Sequence, residues 1–163
     1  MDPYILSDLE EIAPDLISTL RDKGLSLSTA ESCTGGNIAH YITLVAGCSD
    51  VYNGGAVAYS NSAKTNILGV PADLIETNGA VSEEVVRAMA EGACRVFHTD
   101  CAIATSGIAG PDGGSDDKPV GTVWMAVATP NGTYSELYHL SGPRSEIIDK
   151  STLLILRLLL NHL

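Results

Sequence analysis

Positive charge is scarce in this chain: nine Lys and Arg stand against twenty Asp and Glu, a formal net charge of −11 over 163 residues. Neutralising a phosphate backbone takes clustered cations, so composition excludes a general nucleic-acid binder. One Phe and one Trp leave little material for base-stacking platforms. An anionic ligand must therefore be met by a local countercharge. Long apolar runs are missing too. None reaches the ~18 residues of a membrane span, and Met1-Asp2-Pro3-Tyr4 has neither a basic region nor an apolar signal core. These absences predict a soluble, unprocessed chain with no membrane and no nucleic-acid partner.

Signatures of metal and histidine chemistry are absent as well. Cys33, Cys48, Cys94 and Cys101 show no C-x-x-C spacing, and three of them lie in apolar or small-residue segments that suit reduced, buried thiols in the cytoplasm. There is no G-x-S-x-G, H-E-x-x-H, Walker loop or S-x-x-K, and His40, His98, His139 and His162 are scattered. A histidine-based triad and a zinc site are unsupported, and no metal is expected.

What remains is a pattern of alternating strands and helices. At 163 residues the chain fits one domain, 1–163, able to bury roughly 70% of its unfolded surface without disulfide or metal. Ile5, Leu9, Ile12, Leu16, Ile17 and Leu20 fall at helical spacing over 4–23, and Lys23-Gly24 closes that helix. A strand over 25–30 is followed by a turn and a helix to Ala46, ended by Gly47. Gly54–Tyr59 reads as a small-residue strand, with Asn61 capping a helical turn over Ser62–Leu68 that Gly69 stops. Pro71 restarts a short helix that Asn78-Gly79 closes, and Ser82-Glu83-Glu84 opens a longer one. Cys101–Thr105 is a buried-type strand, and strands 120–128 and 133–140 join at Pro130-Asn131-Gly132 as a hairpin. The prediction is an α/β fold of three layers, α/β/α, around a mixed, mostly parallel sheet with an antiparallel hairpin. Pro143 opens a last helix whose Leu and Ile, from Ile147 to Leu160, are more than one core contact covers. That surplus predicts a homo-oligomer, a dimer or a multiple of it.

The chemistry centres on Thr29-Ala30-Glu31-Ser32-Cys33-Thr34-Gly35-Gly36, a strand-to-helix turn. Small residues there leave the first N–H groups of the helix free for an anion or a developing oxyanion, and place Ser32 where a nucleophile is useful. A Ser or Thr at a helix start is more often only an N-cap, so the case needs a partner. Lys64 is one candidate. It falls in the first turn of its helix, where the dipole and burial both push an ammonium toward the neutral form; the alternative is an exposed surface lysine. Arg144, in the first turn of the last helix, is unfavourable unless an anion is near, or else is simply solvated. Ser106–Gly114 follows a strand with four glycines, which suggests a ligand loop. Asp112, Asp116 and Asp117 in its continuation lack EF-hand spacing and read as a solvated turn rather than an ion site.

These segments, with Tyr59–Lys64, Gly79-Ala80-Val81-Ser82 and Lys118-Pro119-Val120-Gly121-Thr122-Val123, resemble the C-terminal domain of the competence/damage-inducible protein CinA, the nicotinamide-nucleotide amidohydrolase family. The likeness spans roughly residues 6–160. It implies deamidation of nicotinamide mononucleotide to nicotinate mononucleotide and ammonia, without cofactor, in pyridine-nucleotide salvage. By motif it implies Ser32 as nucleophile, Lys64 as base and Tyr59 as the third polar member. Cys33, Thr34, Gly35, Thr105, Gly107, Gly110 and Arg144 are then the substrate-binding residues, with backbone N–H groups near Cys33 and Thr34 holding the oxyanion. In one respect the chain departs from the expected pattern: Pro143, rather than an acid, precedes Arg144. Two other classes compete. A non-catalytic nucleotide-binding or regulatory module would leave Ser32 and Lys64 idle, and a cysteine hydrolase would use Cys33, for which no motif supplies a histidine.

Overall fold

The computed structural model describes residues 3–163. Helix α1 (Pro3–Lys23) leads into strand β1 (Leu27–Glu31), helix α2 (Asn37–Thr43) and strand β2 (Tyr52–Val57). Helices α3 (Asn61–Leu68), α4 (Ala72–Asn78) and α5 (Glu83–Phe97) follow, then strands β3 (Cys101–Gly107), β4 (Thr122–Thr129) and β5 (Gly132–His139), and helix α6 (Arg144–Asn161). The five strands form one sheet in the order β2-β1-β3-β4-β5. β1 pairs in parallel with β2 and β3, and the β3–β4 and β4–β5 pairings are antiparallel. Helices cover both faces, giving the three-layer α/β/α arrangement.

The two faces are packed with different side chains because alternate strand residues point to opposite sides. Ile103, Met125 and Val127 face α1, α2 and α6, where Leu9, Leu16, Ile42, Leu156 and Leu159 complete a core of large aliphatics. Their neighbours Ala102, Ala104, Ala126 and Ala128 face α5, and these small residues let Met89, Ala90 and Ala93 lie close against the sheet. Gly92 belongs to the same logic: a Cβ there would stand 2.1 Å from the Leu68 carbonyl oxygen, so only glycine lets α5 approach the end of α3.

Several boundaries differ from the sequence prediction. β1 begins at Leu27 rather than 25, and β2 begins at Tyr52 and ends at Val57, which leaves Ala58 and Tyr59 outside the ladder. α2 stops at Thr43 instead of Ala46. There the chain tightens, with the Leu44 N–H donating to the His40 carbonyl and the Val45 N–H to that of Ile42. Ser60, not Asn61, caps α3: its Oγ accepts from the Ala63 N–H at 3.1 Å.

The last helix is covered more fully than its sequence suggests. Leu153, Ile155, Leu156, Leu158 and Leu159 are all buried within one chain, Leu158 at 3% exposure, because α1 and the sheet enclose α6 from two sides. Arg157 is its exposed mid-helix position and pairs with Asp8 at 2.6 Å. Ile148, Leu154 and Leu160 stay only partly buried, so α1 and the sheet cover most, but not all, of the apolar surface that predicted a second subunit. Among the described residues no helix is long and apolar enough to cross a membrane.

Candidate active site

α2 packs on one face of the sheet and α3 on the other, so the connections leaving β1 and β2 diverge. Such a divergence opens a crevice at the carboxyl ends of the strands, the usual ligand position in an open α/β sheet. A cleft of about 250 Å³ lies there, and Ser32, Tyr59, Gly107, Gly110, Asp112 and Arg144 are among its walls.

Ser32 is the first residue past β1 and is 8% exposed. Its N–H donates to the Thr105 carbonyl at 3.0 Å, which fixes it against β3. Lys64 approaches from the other side. It sits one turn into α3, and a helical side chain leans back toward the N-terminus, here into the crevice. Its Nζ lies 2.9 Å from Ser32 Oγ, 3.0 Å from the Ala58 carbonyl and 3.3 Å from the Tyr59 carbonyl. The side chain is 1% exposed, and burial pushes its pKa below the ordinary lysine value. A neutral amine keeps two hydrogens. Given to the two carbonyls, they leave the nitrogen lone pair facing Ser32, so this geometry fits a general base.

Cys33 is built differently. Its side chain belongs to the aliphatic core beside α1 and α6, and burial pushes its thiol up to about 12. A protonated thiol facing the core is a poor nucleophile, and among the described residues lining the cleft there is no histidine to activate it. What Cys33 offers the cleft is its backbone. Among the described residues, the N–H groups of Cys33 and Thr34 donate to no backbone carbonyl.

The helix N–H groups, expected to be free, are not. Glu31, 1% exposed, turns its carboxylate into the start of α2 and accepts from the N–H groups of Gly36 (3.0 Å), Ile38 (3.1 Å) and Ala39 (2.8 Å). The Thr34 hydroxyl donates to the same carboxylate at 2.7 Å and lies 2.8 Å from the Thr105 hydroxyl. The side chains of Thr34 and Thr105, predicted as substrate-binding, are thus buried behind the turn and spend their hydrogen bonds on Glu31 and each other. Gly35, with φ +60°, serves the turn through its backbone conformation.

On the opposite wall Arg144 is the first residue of α6. It donates to the Gly110 carbonyl at 2.8 Å and to the Tyr59 hydroxyl at 2.9 Å, joining three segments at the rim. Two glycines of the ligand loop answer to protein contacts. A Cβ at Gly107 would come 2.7 Å from the Thr122 carbonyl oxygen, and one at Gly110 would come 2.5 Å from Val120. Asp112 lines the cleft, whereas Asp116 and Asp117 are exposed. Among the described residues no three His, Cys, Asp or Glu side chains are grouped to hold a metal. A larger recess, about 460 Å³, lies between α3 and α4; Asn61, Thr65, Asn66, Ala72, Ile75 and Glu76 line it, and neither Ser32 nor Lys64 is among its walls.

A model of the CinA C-terminal domain matches residues 9–163. This chain belongs to that family. A CinA-like protein of Geobacter sulfurreducens is 55% identical over 127 residues, covering 78% of this chain and 31% of its own length. A CinA-like protein of Fervidobacterium nodosum is 48% identical over 151 residues, 93% of this chain and 37% of its own. The chain thus spans about a third of the length of these curated relatives. Among solved structures, the competence/damage inducible protein CihA of Agrobacterium tumefaciens superposes with a TM-score of 0.92 at 41% identity, covering 94% of each chain. A CinA superfamily protein of Escherichia coli gives a TM-score of 0.93 at 35% identity, covering 96% of this chain and 92% of its own.

Two residues of this CinA domain gained their roles only from the structure. Glu31 carried a signal, an acid just before a helix start, where the dipole favours it. Lys118 carried none. Its ammonium donates to the carbonyls of Asn78 (3.2 Å) and Val81 (2.7 Å), tying the far end of the glycine loop to the α4–α5 junction.

Proposed function

We propose that this CinA C-terminal domain hydrolyses the carboxamide of nicotinamide mononucleotide, giving nicotinate mononucleotide and ammonia without a cofactor, as a cytoplasmic step of pyridine-nucleotide salvage. One observation carries the reading: a buried lysine amine, its pKa lowered, stands 2.9 Å from a serine hydroxyl at the wall of a cleft. Nothing in folding requires a lysine there, since burying an ammonium is costly. A Ser–Lys pair of this kind is suited to acyl transfer.

In this reading neutral Lys64 takes the Ser32 proton as Oγ attacks the carboxamide carbon. The oxyanion forms toward the N–H groups of Cys33 and Thr34. Tyr59 accepts a hydrogen bond from Arg144, so its own proton is free to pass to the departing nitrogen as the C–N bond breaks. The proton on Lys64 restores Tyr59 or the solvent. Water then adds to the nicotinoyl ester with Lys64 again as base, releasing the carboxylate and Ser32. Arg144 supplies the countercharge for the phosphate, and the backbone around Gly110 and Gly113 lines its approach. A net charge of −11 makes this single rim arginine more telling, because the chain has few cations to spare.

The test is ammonia release from the purified protein and nicotinamide mononucleotide, with nicotinate mononucleotide formed in equal amount. Binding without ammonia release would make the domain a nucleotide-binding module and refute the amidase reading.

A further inference from the structure

Glu31 is buried, charged and not used in the chemistry above. Its carboxylate takes the three N–H groups of Gly36, Ile38 and Ala39 together with the Thr34 hydroxyl, and Thr34 is linked onward to Thr105 on β3. Its backbone carbonyl accepts the Ala58 N–H at 2.8 Å, and the Ala58 carbonyl in turn accepts from Lys64. The residue therefore holds both halves of the pair. Through its side chain it shapes the turn that carries Ser32 and the N–H groups of Cys33 and Thr34; through its main chain it steadies the segment on which Lys64 rests.

A cap alone does not need this arrangement. Ser60 and Ser82 each cap a helix in this chain with one hydroxyl accepting one N–H. At α2 the cap position is Gly36, which has no side chain, and the acceptor reaches in from the strand five residues earlier. Capping from within β1 has a geometric consequence. Strand, turn and helix start are locked around one carboxylate, and the nucleophile lies between its points of attachment.

We infer that Glu31 is a positioning residue for the Ser32–Lys64 pair, fixing the Ser32 hydroxyl and the Cys33 and Thr34 N–H groups on one side of the turn. The inference rests on the amidase reading. It assigns Glu31 no contact with substrate: Arg144, Tyr59 and the glycine loop hang from other elements, so substrate binding stays intact when the turn loosens.

The experiment compares the unaltered protein with Glu31→Gln and Thr34→Val, using a fluorophosphonate probe that labels an activated serine, steady-state deamidation, and thermal melting. In Glu31→Gln one acceptor oxygen becomes an amide that meets the Ala39 N–H with its own hydrogens. A displacement of the nucleophile by about 1 Å is expected to slow labelling and kcat on the order of 100-fold while KM stays within about twofold. Thr34→Val, which removes one bond to the carboxylate, is expected to slow both about tenfold. If Glu31→Gln does not fold, the Thr34→Val measurement decides alone. Labelling at the unaltered rate in a folded variant overturns the inference, as does a KM that rises in step with the loss of kcat, since that would mark a general loosening of the cleft. Absence of labelling and of ammonia release in the unaltered protein would instead defeat the amidase reading, and the inference with it.

Discussion

In the turn after β1, every side chain from Glu31 to Thr34 is buried and the Glu31, Ser32 and Thr34 side chains are all hydrogen-bonded within the protein, whereas in the loop after β3 residues 111–117 are exposed and few of their side chains bond to anything. Both segments are rich in glycine, and both border the same cleft. The first is held by a carboxylate with four donors; the second is fastened at its ends, by Arg144 on Gly110 and by Lys118 on the α4–α5 junction. A wall built in the first way keeps reacting atoms in place. A wall built in the second way accommodates the rest of a ligand. On the proposed amidase reading, the β1 side would set the rate and the β3 side the affinity.

The largest effect should come from the β1 side. Ser32→Ala and Lys64→Ala are each expected to lower kcat by at least about 10³-fold with the fold retained, and the double variant to be no slower, because nucleophile and base act as a unit. Circular dichroism and ammonia release check this, and additive losses would dissolve the pair. Next comes the β3 side with its arginine. Arg144→Ala should raise KM about 10- to 150-fold, the worth of a charge-assisted contact of roughly 1.5–3 kcal/mol, with kcat little changed. A fall in kcat instead would move Arg144 into the rate-setting wall.

Two glycines sharpen the contrast. Gly36 (φ +101°) and Gly113 (φ +90°) share a backbone conformation that costs other residues about 1–2 kcal/mol, and an added Cβ meets nothing closer than 3.6 Å at Gly36 or 3.8 Å at Gly113. Alanine at either should therefore lower stability by a similar amount in urea unfolding. Kinetically they should part: Gly36→Ala is expected to reduce kcat a few-fold, Gly113→Ala to raise KM a few-fold. Identical kinetic signatures would break the comparison.

The smallest effect is a pH dependence of stability. Lys64 has its pKa lowered by burial from an ordinary value of 10.5. Between the folded and ordinary values the unfolded chain holds more protons, so stability rises with pH across that window. The contribution is fully present above 10.5 and is lost as pH falls through the folded value. Lys64→Met removes it, so the gain in Tm of this variant over the parent should be largest below the window and shrink as pH approaches 10.5. A difference that does not vary with pH would mean Lys64 titrates normally and is not poised as a base.

Much of this was legible in the residues because the relevant physics is local. Ser82 as a cap, Gly69 and Gly79 as stops, the Pro130-Asn131-Gly132 hairpin and the buried strand at Cys101 follow from propensities that act within a few positions. The motifs around Ser32, Lys64 and Arg144 identified three residues that the fold gathers at one place, Ser32 and Arg144 on the cleft wall and Lys64 buried behind Ser32, although they are 32 and 80 positions apart along the chain. The points where side-chain surroundings differ from the expectation share a cause. Thr34 and Thr105 are small polar residues beside a turn, and nothing local says whether a hydroxyl faces ligand or a neighbouring carboxylate. The Leu-rich last helix looked uncovered because hydropathy counts apolar residues but not the partners that other segments bring.

By itself, then, the sequence determined the alternation of elements and the residue types available for acyl transfer, since these depend on side-chain size, backbone preference and spacing. Only the tertiary structure decided that Lys64 is buried against Ser32, that Glu31 closes the start of α2, that Cys33 turns to the core and that α1 and the sheet enclose α6. Each of those depends on which distant segment arrives at a given side chain, and burial, pKa and hydrogen-bond satisfaction are properties of that encounter rather than of the residue.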